Sequence, residues 1–221
     1  MTDPAVVRKR LIHRRVTLGL QAILAIGFAL SVVQGNWLNC VLIAGIILLT
    51  LFPILLKRRL DVFIPPEFEL AAILFIFMTL FLGEIHGYYF RFAWWDKLLH
   101  TGSGFLLGIL GFLLVYVLNE DENVDLNMNP RFVALFSLAF SVSIGAFWEI
   151  FEFAMDVTFK LNMQKTGLVD TMWDLIVDTA GASAVAAMGY AYLRGKKGSF
   201  LESWMGSFIE SNPRLFRRGD R

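Results

Sequence analysis

The chain has 221 residues, 57% of them Ala, Val, Ile, Leu, Met, Phe, Trp, Tyr or Cys, with 18 glycines besides. Soluble domains reach only roughly 45–50% apolar with glycine included, so disorder, collagen-like repeats and a disulfide-stapled miniprotein are all excluded. The 20 Lys and Arg against 19 Asp and Glu leave a formal charge of +1, without the basic excess that nucleic-acid binding requires.

A helix that crosses a bilayer needs about 20 mostly apolar residues. Six runs meet that length: 16–34, 37–56, 68–88, 98–118, 132–154 and 173–193. The first follows Arg8, Lys9, Arg10, Arg14 and Arg15 in the manner of a secretory signal. It is longer than a signal's apolar core and five more runs follow, so it reads as an uncleaved first helix. Gly35-Asn36 predicts a tight turn, and Cys40, the single cysteine, reads as a small packing residue in the second run. Pro65-Pro66-Glu67 predicts the start of the third helix, with Glu67 and Glu69 near its positive end. Trp37, Tyr88, Tyr89, Trp94 and Trp95 fall where an interfacial aromatic belt is expected.

Beyond residue 193, Ser199-x-x-Glu202 reads as a capping box. It would open a short amphipathic helix whose Phe200, Leu201, Trp204 and Phe208 share a face, ended by Asn212-Pro213. With Lys196, Lys197, Arg214, Arg217 and Arg218 nearby, this helix is expected to lie on the cytoplasmic membrane surface. Alternating the six runs puts 16 Lys and Arg on the side of both termini and four, Arg91, Lys97, Lys160 and Lys165, on the other. That asymmetry places both termini in the cytoplasm, and the acidic loop Glu120, Asp121, Glu122, Asp125 with them. The expected fold is therefore all-α and polytopic: a transmembrane domain over 1–193, N-in and C-in, and a cytoplasmic tail over 194–221.

Ionisable residues inside membrane helices cost about 2.5 to 3.5 kcal/mol each near the centre and usually mark function. The non-cytoplasmic half carries eight acids, Glu84, Asp96, Glu149, Glu152, Asp156, Asp170, Asp174 and Asp178, against four bases, with His86 and His100. Residues four apart share a helix face. Asp96, His100, Gly104 and Gly108 form one stripe; Ser137, Ser141, Gly145 and Glu149 a second; Asp170, Asp174, Asp178, Ala182 and Ala186 a third. Each stripe is charged toward the outer end and small toward the cytoplasmic end. Small faces let membrane helices approach closely, so the fourth, fifth and sixth helices are expected to point their charged ends at one another. A polar pocket opening to the outer leaflet results, about one turn below the surface.

Carboxylates favour Mg, Ca or Mn, and a mixed His and carboxylate set also suits Zn or Fe. Asp96, His100, Glu149, Glu152, Asp174 and Asp178 are the candidate ligands for a divalent metal ion, Mg, Mn or Zn. His100, Glu149 and Asp174 are the candidate catalytic groups, as Lewis-acid partners or general base, while Lys97 and Arg91 would steer a phosphate. The competing readings are a proton- or cation-coupled transporter and a non-enzymatic protein in which Lys97, Arg91 and Lys165 simply pair with the acids, Asp156 and Asp170 first among them. Walker loops, His-Glu-x-x-His and Gly-x-Ser-x-Gly are absent from the sequence. Gly102-Ser103-Gly104 reads as packing rather than as a nucleophile.

Trp94-Trp95-Asp96-Lys97-Leu98-Leu99-His100, Trp148-Glu149-Ile150-Phe151-Glu152 and the stretch from Asp170 to Thr179 together resemble the YjdF-type bacterial inner-membrane proteins, from about Glu67 to Leu193. That resemblance implies a bacterial cytoplasmic membrane location and no particular activity. A weaker likeness reaches the VanZ-like proteins, linked to teicoplanin resistance. Their Asp-Lys-x-x-His falls on Asp96, Lys97 and His100, their Glu-x-x-Gln on Glu149 and Glu152, and their Asp, Asp, Asn, Gly series on Asp170, Asp174, Asp178 and Gly181. Glu152 and Asp178 replace Gln and Asn of that pattern, which makes the pocket more acidic and favours a cation. The expected partners are membrane lipids and lipid-linked envelope precursors, whose headgroup the pocket would handle.

Overall fold

A computed structural model describes residues 4–60, 66–120, 128–195, 204–206, 208, 209 and 212. Among them the ordered structure is helical, with no strand. In chain order the helices are α1 (Pro4–Val33), α2 (Trp37–Leu60), α3 (Pro66–Ile76), a π-helical continuation (Phe77–Ile85), α4 (Tyr88–Arg91), α5 (Trp95–Glu120), α6 (Pro130–Phe159) and α7 (Leu168–Leu193). Four of the six expected runs fall within these helices; the first overruns α1 by one residue, and the third crosses the break at His86 and Gly87 into α4. Most helices extend further than hydropathy alone indicates, because polar terminal turns still close their backbone hydrogen bonds. Four segments are long and apolar enough to cross a membrane by length and composition: Leu11–Val33, Glu67–Ile85, Trp95–Tyr116 and Pro130–Phe159. The apolar part of α2 over Trp37–Leu51 is shorter, and α7 carries Asp170, Asp174 and Asp178 with a run of Ala and Gly.

The chain divides into two compact units, Met1–Phe92 and Ala93–Arg221. The first is built on Leu24, Ile43, Ile46, Phe77 and Phe81, which form one buried cluster. A polar clamp joins α1 to α2, where Gln21 Nε2 donates to Thr50 Oγ1 at 2.7 Å and Thr50 is buried. Gly35 turns the chain between these helices with φ 68°, as its place beside Asn36 suggests. The third span changes to π-helix from Phe77, with His86 N closing on Phe81 O at 3.1 Å. Such wide turns are rare and are tolerated only where packing holds them. Here Gly83 lies against the Tyr89 ring so closely that a Cβ would collide with it.

In the second unit α5, α6 and α7 pack on one another through their small faces. A Cβ on Gly104 would strike the Asp178 carbonyl, and one on Gly181 would strike the Thr101 carbonyl, so α5 and α7 meet backbone to backbone. Further along, a Cβ on Gly108 would come within 3.1 Å of Val185 and one on Gly189 within 2.5 Å of the Phe112 ring. α6 joins them through hydroxyls: Ser141 Oγ donates to Gly104 O at 2.8 Å and Ser137 Oγ to Gly108 O at 2.7 Å, both fully buried. These bonds satisfy side-chain donors that would otherwise be orphaned. The opposite side of α6 is covered with exposed apolar groups, Leu135, Phe147, Ile150 and Phe153 among them, as a lipid-facing surface requires.

Two expectations are corrected. Trp95 is only 7% exposed and packs into the fold instead of joining an interfacial belt, where exposed Trp37 and Trp94 remain suitable. At the C-terminal end, Met205 and Phe208 are buried within the protein, so that side of the short helix is not free to insert into lipid. The Ser199 and Glu202 capping box, Phe200, Leu201, the basic residues Lys196, Lys197, Arg214, Arg217 and Arg218, and the acidic residues Asp121, Glu122 and Asp125 lie outside the described residues, and so does Pro65.

The backbone contact of α5 and α7 has a direct test. Gly104→Ala forces a methyl against a carbonyl that cannot move aside, and overpacking of this kind costs roughly 1–3 kcal/mol. Gly102, with nothing within 4 Å of its would-be Cβ, is the control. Thermal unfolding in detergent should be lowered for Gly104→Ala and unchanged or raised for Gly102→Ala; equal melting temperatures would contradict the contact.

Candidate functional site

The packing just described sets the depth at which the ionisable side chains meet. His100 lies five residues into α5 and Asp174 six residues into α7, about 8–9 Å from the helix ends at 1.5 Å per residue. Glu149 is ten residues before the end of α6 and Asp178 ten residues after the start of α7, about 15 Å along their helices from those ends. The stripes converge as expected. They are also enclosed: His100 is 8% exposed, Glu149 4%, Asp170 6%, Asp174 1% and Asp178 2%. An open pocket was expected and a packed, buried cluster is found. A cavity of about 220 Å³ lies in the first unit, walled largely by carbon and lined by Leu42, Ile46, Leu80 and Glu84 among others.

His100 organises the deeper layer. Its Nδ1 stands 3.1 Å from Asp178 Oδ2. The other oxygen of Asp178 accepts from Ser103 Oγ at 2.8 Å, and that hydroxyl is equally close to the His100 carbonyl, so one proton is shared between two acceptors. Gly145 makes room for this carboxylate, since a Cβ there would come within 2.7 Å of Asp178 Oδ2. With Asp178 holding Nδ1, the hydrogen-bond network assigns that nitrogen the proton and turns Nε2 toward the remaining acids. Glu149 Oε1 is 3.8 Å and Asp96 Oδ1 3.9 Å from Nε2.

The distances from Nε2 are too long for hydrogen bonds. They lie near the roughly 3.4 Å that separates two ligands of a tetrahedral metal with ~2.1 Å bonds. Ligand atoms of His100, Glu149 and Asp174 all lie within 4.8 Å of one another, as do those of Asp96, Asp170 and Asp174. Glu149 is the anomaly: both its oxygens are buried and neither has a hydrogen-bond donor. The Thr171 hydroxyl bears on it, yet no donor reaches hydrogen-bond geometry. An unpaired buried carboxylate is costly, and a cation between it, Asp174 and Nε2 would remove that cost.

A shallower layer of ion pairs lies over this centre. Lys97 Nζ donates to Asp170 Oδ1 at 2.8 Å and stands 3.5 Å from Asp174 Oδ1; Lys165 Nζ donates to Asp96 Oδ2 at 2.6 Å. Lysines pairing with acids are what the non-enzymatic reading foresees, with Asp170 among the acids it names; that Lys165 meets Asp96 it does not specify. The second triad, Asp96, Asp170 and Asp174, is thus already served by lysine ammonium groups; Asp174, shared by both triads, also has Lys97 at 3.5 Å, whereas both Glu149 oxygens lack a hydrogen-bond partner. Asp156 caps the loop after α6 by accepting from Met163 N and Gln164 N at 2.8 and 3.0 Å.

The expected site residues therefore separate. Asp96, His100, Glu149 and Asp174 are brought together. Asp178 sits behind His100 as a positioning residue instead of facing Nε2. Glu152 lies at the half-buried edge of α6, where Trp148 Nε1 donates to its Oε1 at 2.9 Å, and it belongs to neither triad. Arg91 belongs to the first unit, exposed at the end of α4, as does exposed Glu84; His86 there places Nδ1 2.9 Å from Phe81 O. Ser103 and Thr171 were not anticipated as parts of the site. Ser103 follows His100 by three residues and Thr171 precedes Asp174 by three, so helical spacing was the available signal.

The chain matches a family described as "Predicted membrane protein (DUF2238)" over residues 16–195. An uncharacterized protein of Thermotoga maritima is 30% identical over 138 residues, which cover 62% of this chain and 67% of that one. No solved structure matches. These similarities are compatible with the YjdF-type resemblance and do not show the VanZ-like one.

The unpaired Glu149 and the doubly held Asp178 should respond oppositely to neutralisation. In chelator, Glu149→Gln should raise the melting temperature, since it removes a buried charge that lacks a donor, and Asp178→Asn should lower it; each effect is on the order of 1–3 kcal/mol. A Glu149→Gln protein less stable than the parent would mean that Glu149 already has a partner.

Proposed function

We propose, from the premise that the chain belongs to the DUF2238 family of predicted membrane proteins, that it is a six-span bacterial inner-membrane protein whose buried His100 centre binds a divalent metal ion and handles the headgroup of a lipid or lipid-linked envelope precursor. The 16-to-4 split of Lys and Arg supports a topology with both termini inside. In that topology the centre lies toward the outer leaflet. α2 and α7 serve as the second and sixth spans. α7 needs less hydropathy than the others because its polar face is turned to α5 and α6.

The observation that carries the reading is Glu149, a buried carboxylate without a donor, beside an imidazole nitrogen and Asp174 at near-ligand spacing. The arrangement of Asp178 behind His100 supports it further, since metal-bound histidines regularly give their other nitrogen to a carboxylate. His100, Glu149 and Asp174 would hold the ion, with Asp96 able to join through Oδ1. When bound, such an ion supplies Lewis-acid polarisation of a phosphate or carbonyl oxygen and activation of water. Glu149, holding the ion through one oxygen, would keep the other free to take a proton. Lys97, part-exposed in the shallower layer, is suited to hold a headgroup phosphate.

Transport is the less favoured reading. From the centre toward the other ends of α5 and α7, Gly104, Gly108, Ala182 and Ala186 are buried and closely packed, and the hydroxyls of Ser137 and Ser141 there are bonded to α5 carbonyls, so the three stripes carry no ionisable side chain beneath the centre.

The test is metal content. Protein purified in mild detergent without chelator, or reconstituted with Zn, Mn or Mg and dialysed, should retain about one ion per chain. His100→Ala and Glu149→Gln should lose it, and Asp178→Asn should bind roughly 10- to 100-fold more weakly. Wild-type protein that retains none of the three ions would overturn the proposal, and so would retention undiminished in Glu149→Gln.

A further inference from the structure

Residues 160–167, which join α6 to α7, have a backbone that is difficult to form and is held at many points. Lys160 and Lys165 adopt positive φ, 60° and 38°, the non-glycine residues among those described that do so, and Gly167 follows at φ 68° and ψ −133°. L side chains resist this region unless their surroundings impose it, and such residues gather at clamps and switches. Here the surroundings are specific. Asp156 of α6 binds the amides of Met163 and Gln164. Gln164 Nε2 donates to Thr171 Oγ1 of α7 at 2.8 Å. Lys165 reaches across to α5, where it meets Asp96 Oδ2 at 2.6 Å.

Asp96 is thereby divided between two tasks. One oxygen binds the loop's lysine, and the other stands 3.9 Å from His100 Nε2 at the centre. A new positive charge at Nε2, Glu149 and Asp174 would act on this pair twice, drawing the Asp96 carboxylate inward and repelling the Lys165 ammonium. Both effects weaken the same bond. We propose that residues 160–167 form a strap latched over the buried centre by the Lys165–Asp96 ion pair, and that a divalent cation entering the centre releases it. The inference rests on the metal reading for its trigger but not for the latch itself. Because binding free energies are reciprocal, a cation that loosens the strap is bound more tightly when the strap is already loose. Lys165 is then an internal competitor that keeps the centre closed until a cation arrives.

Hydrogen–deuterium exchange of the full chain in detergent, at fixed pH, tests both parts. In EDTA, peptides covering residues 160–167 should exchange several-fold faster in Lys165→Met than in wild type, while peptides covering 100–108 stay unchanged and Lys165→Arg restores slow exchange. Adding Zn or Mn to wild type should accelerate the same peptides, and Lys165→Met should bind the ion roughly 5- to 10-fold more tightly. Identical exchange of Lys165→Met and wild type in EDTA would overturn the latch. Ion binding without any change in exchange would overturn the release. Should neither ion nor Mg bind, the metal reading falls and the release with it, while the EDTA comparison still decides the latch.

Discussion

Where α5 and α7 cross, backbone meets backbone, and every other feature of the second unit follows from that contact. Gly104 faces the Asp178 carbonyl and Gly181 the Thr101 carbonyl, with no Cβ on either glycine. Within a bilayer there is little hydrophobic drive to press helices together, so close van der Waals contact and interhelical hydrogen bonds must do it. The approach also brings Asp178 against His100 Nδ1 and leaves Nε2 aimed at Glu149 and Asp96. A larger residue at either glycine would separate the helices and pull this geometry apart, so packing and chemistry are one constraint here.

The two layers of charge differ in kind. The shallower acids Asp96 and Asp170 have lysine partners at 2.6 and 2.8 Å, as helices that must tolerate carboxylates near an interface commonly do. The deeper Glu149 has none. A protein under selection for stability alone would have an apolar residue or a donor there, since removing an unpaired buried charge is generally favourable. Natural proteins accept such costs at functional sites, which is why this one carboxylate outweighs the number of acids around it.

Much of this was legible in the sequence, because the four-residue stripes of charged and small residues on the last three long helices encode both the contact and the convergence. Gly104, Ser141 and Asp178 behave as their spacing indicated. The role of Asp178 was not legible: spacing places a carboxylate on a face but does not say which imidazole nitrogen it meets. Enclosure was missed for a similar reason, since hydropathy marks the polar residues without recording that Lys165 and the loop after α6 close over them. Arg91 was grouped with the site through its place between the third and fourth runs, and it folds with the first unit. The π-helical turns from Phe77 to Ile85 leave no pattern in composition, because packing around Gly83 and Tyr89 imposes them.

The three aspartates of α7 bear on how such a protein is assembled. On the six-span reading, a helix carrying Asp170, Asp174 and Asp178 would partition poorly into lipid by itself, each acid disfavouring insertion by about 2.5 to 3.5 kcal/mol near the midplane. What makes it acceptable is supplied by its neighbours: Lys97, His100 and Ser103 all sit on α5. Ribosomal order delivers α5 and α6 first, so a receptive surface exists before α7 emerges. The last helix of the bundle is therefore a dependent one, stable in the membrane only as a guest of the pair already lodged there, and loss of Lys97 or His100 would be felt during biogenesis as well as in the finished protein.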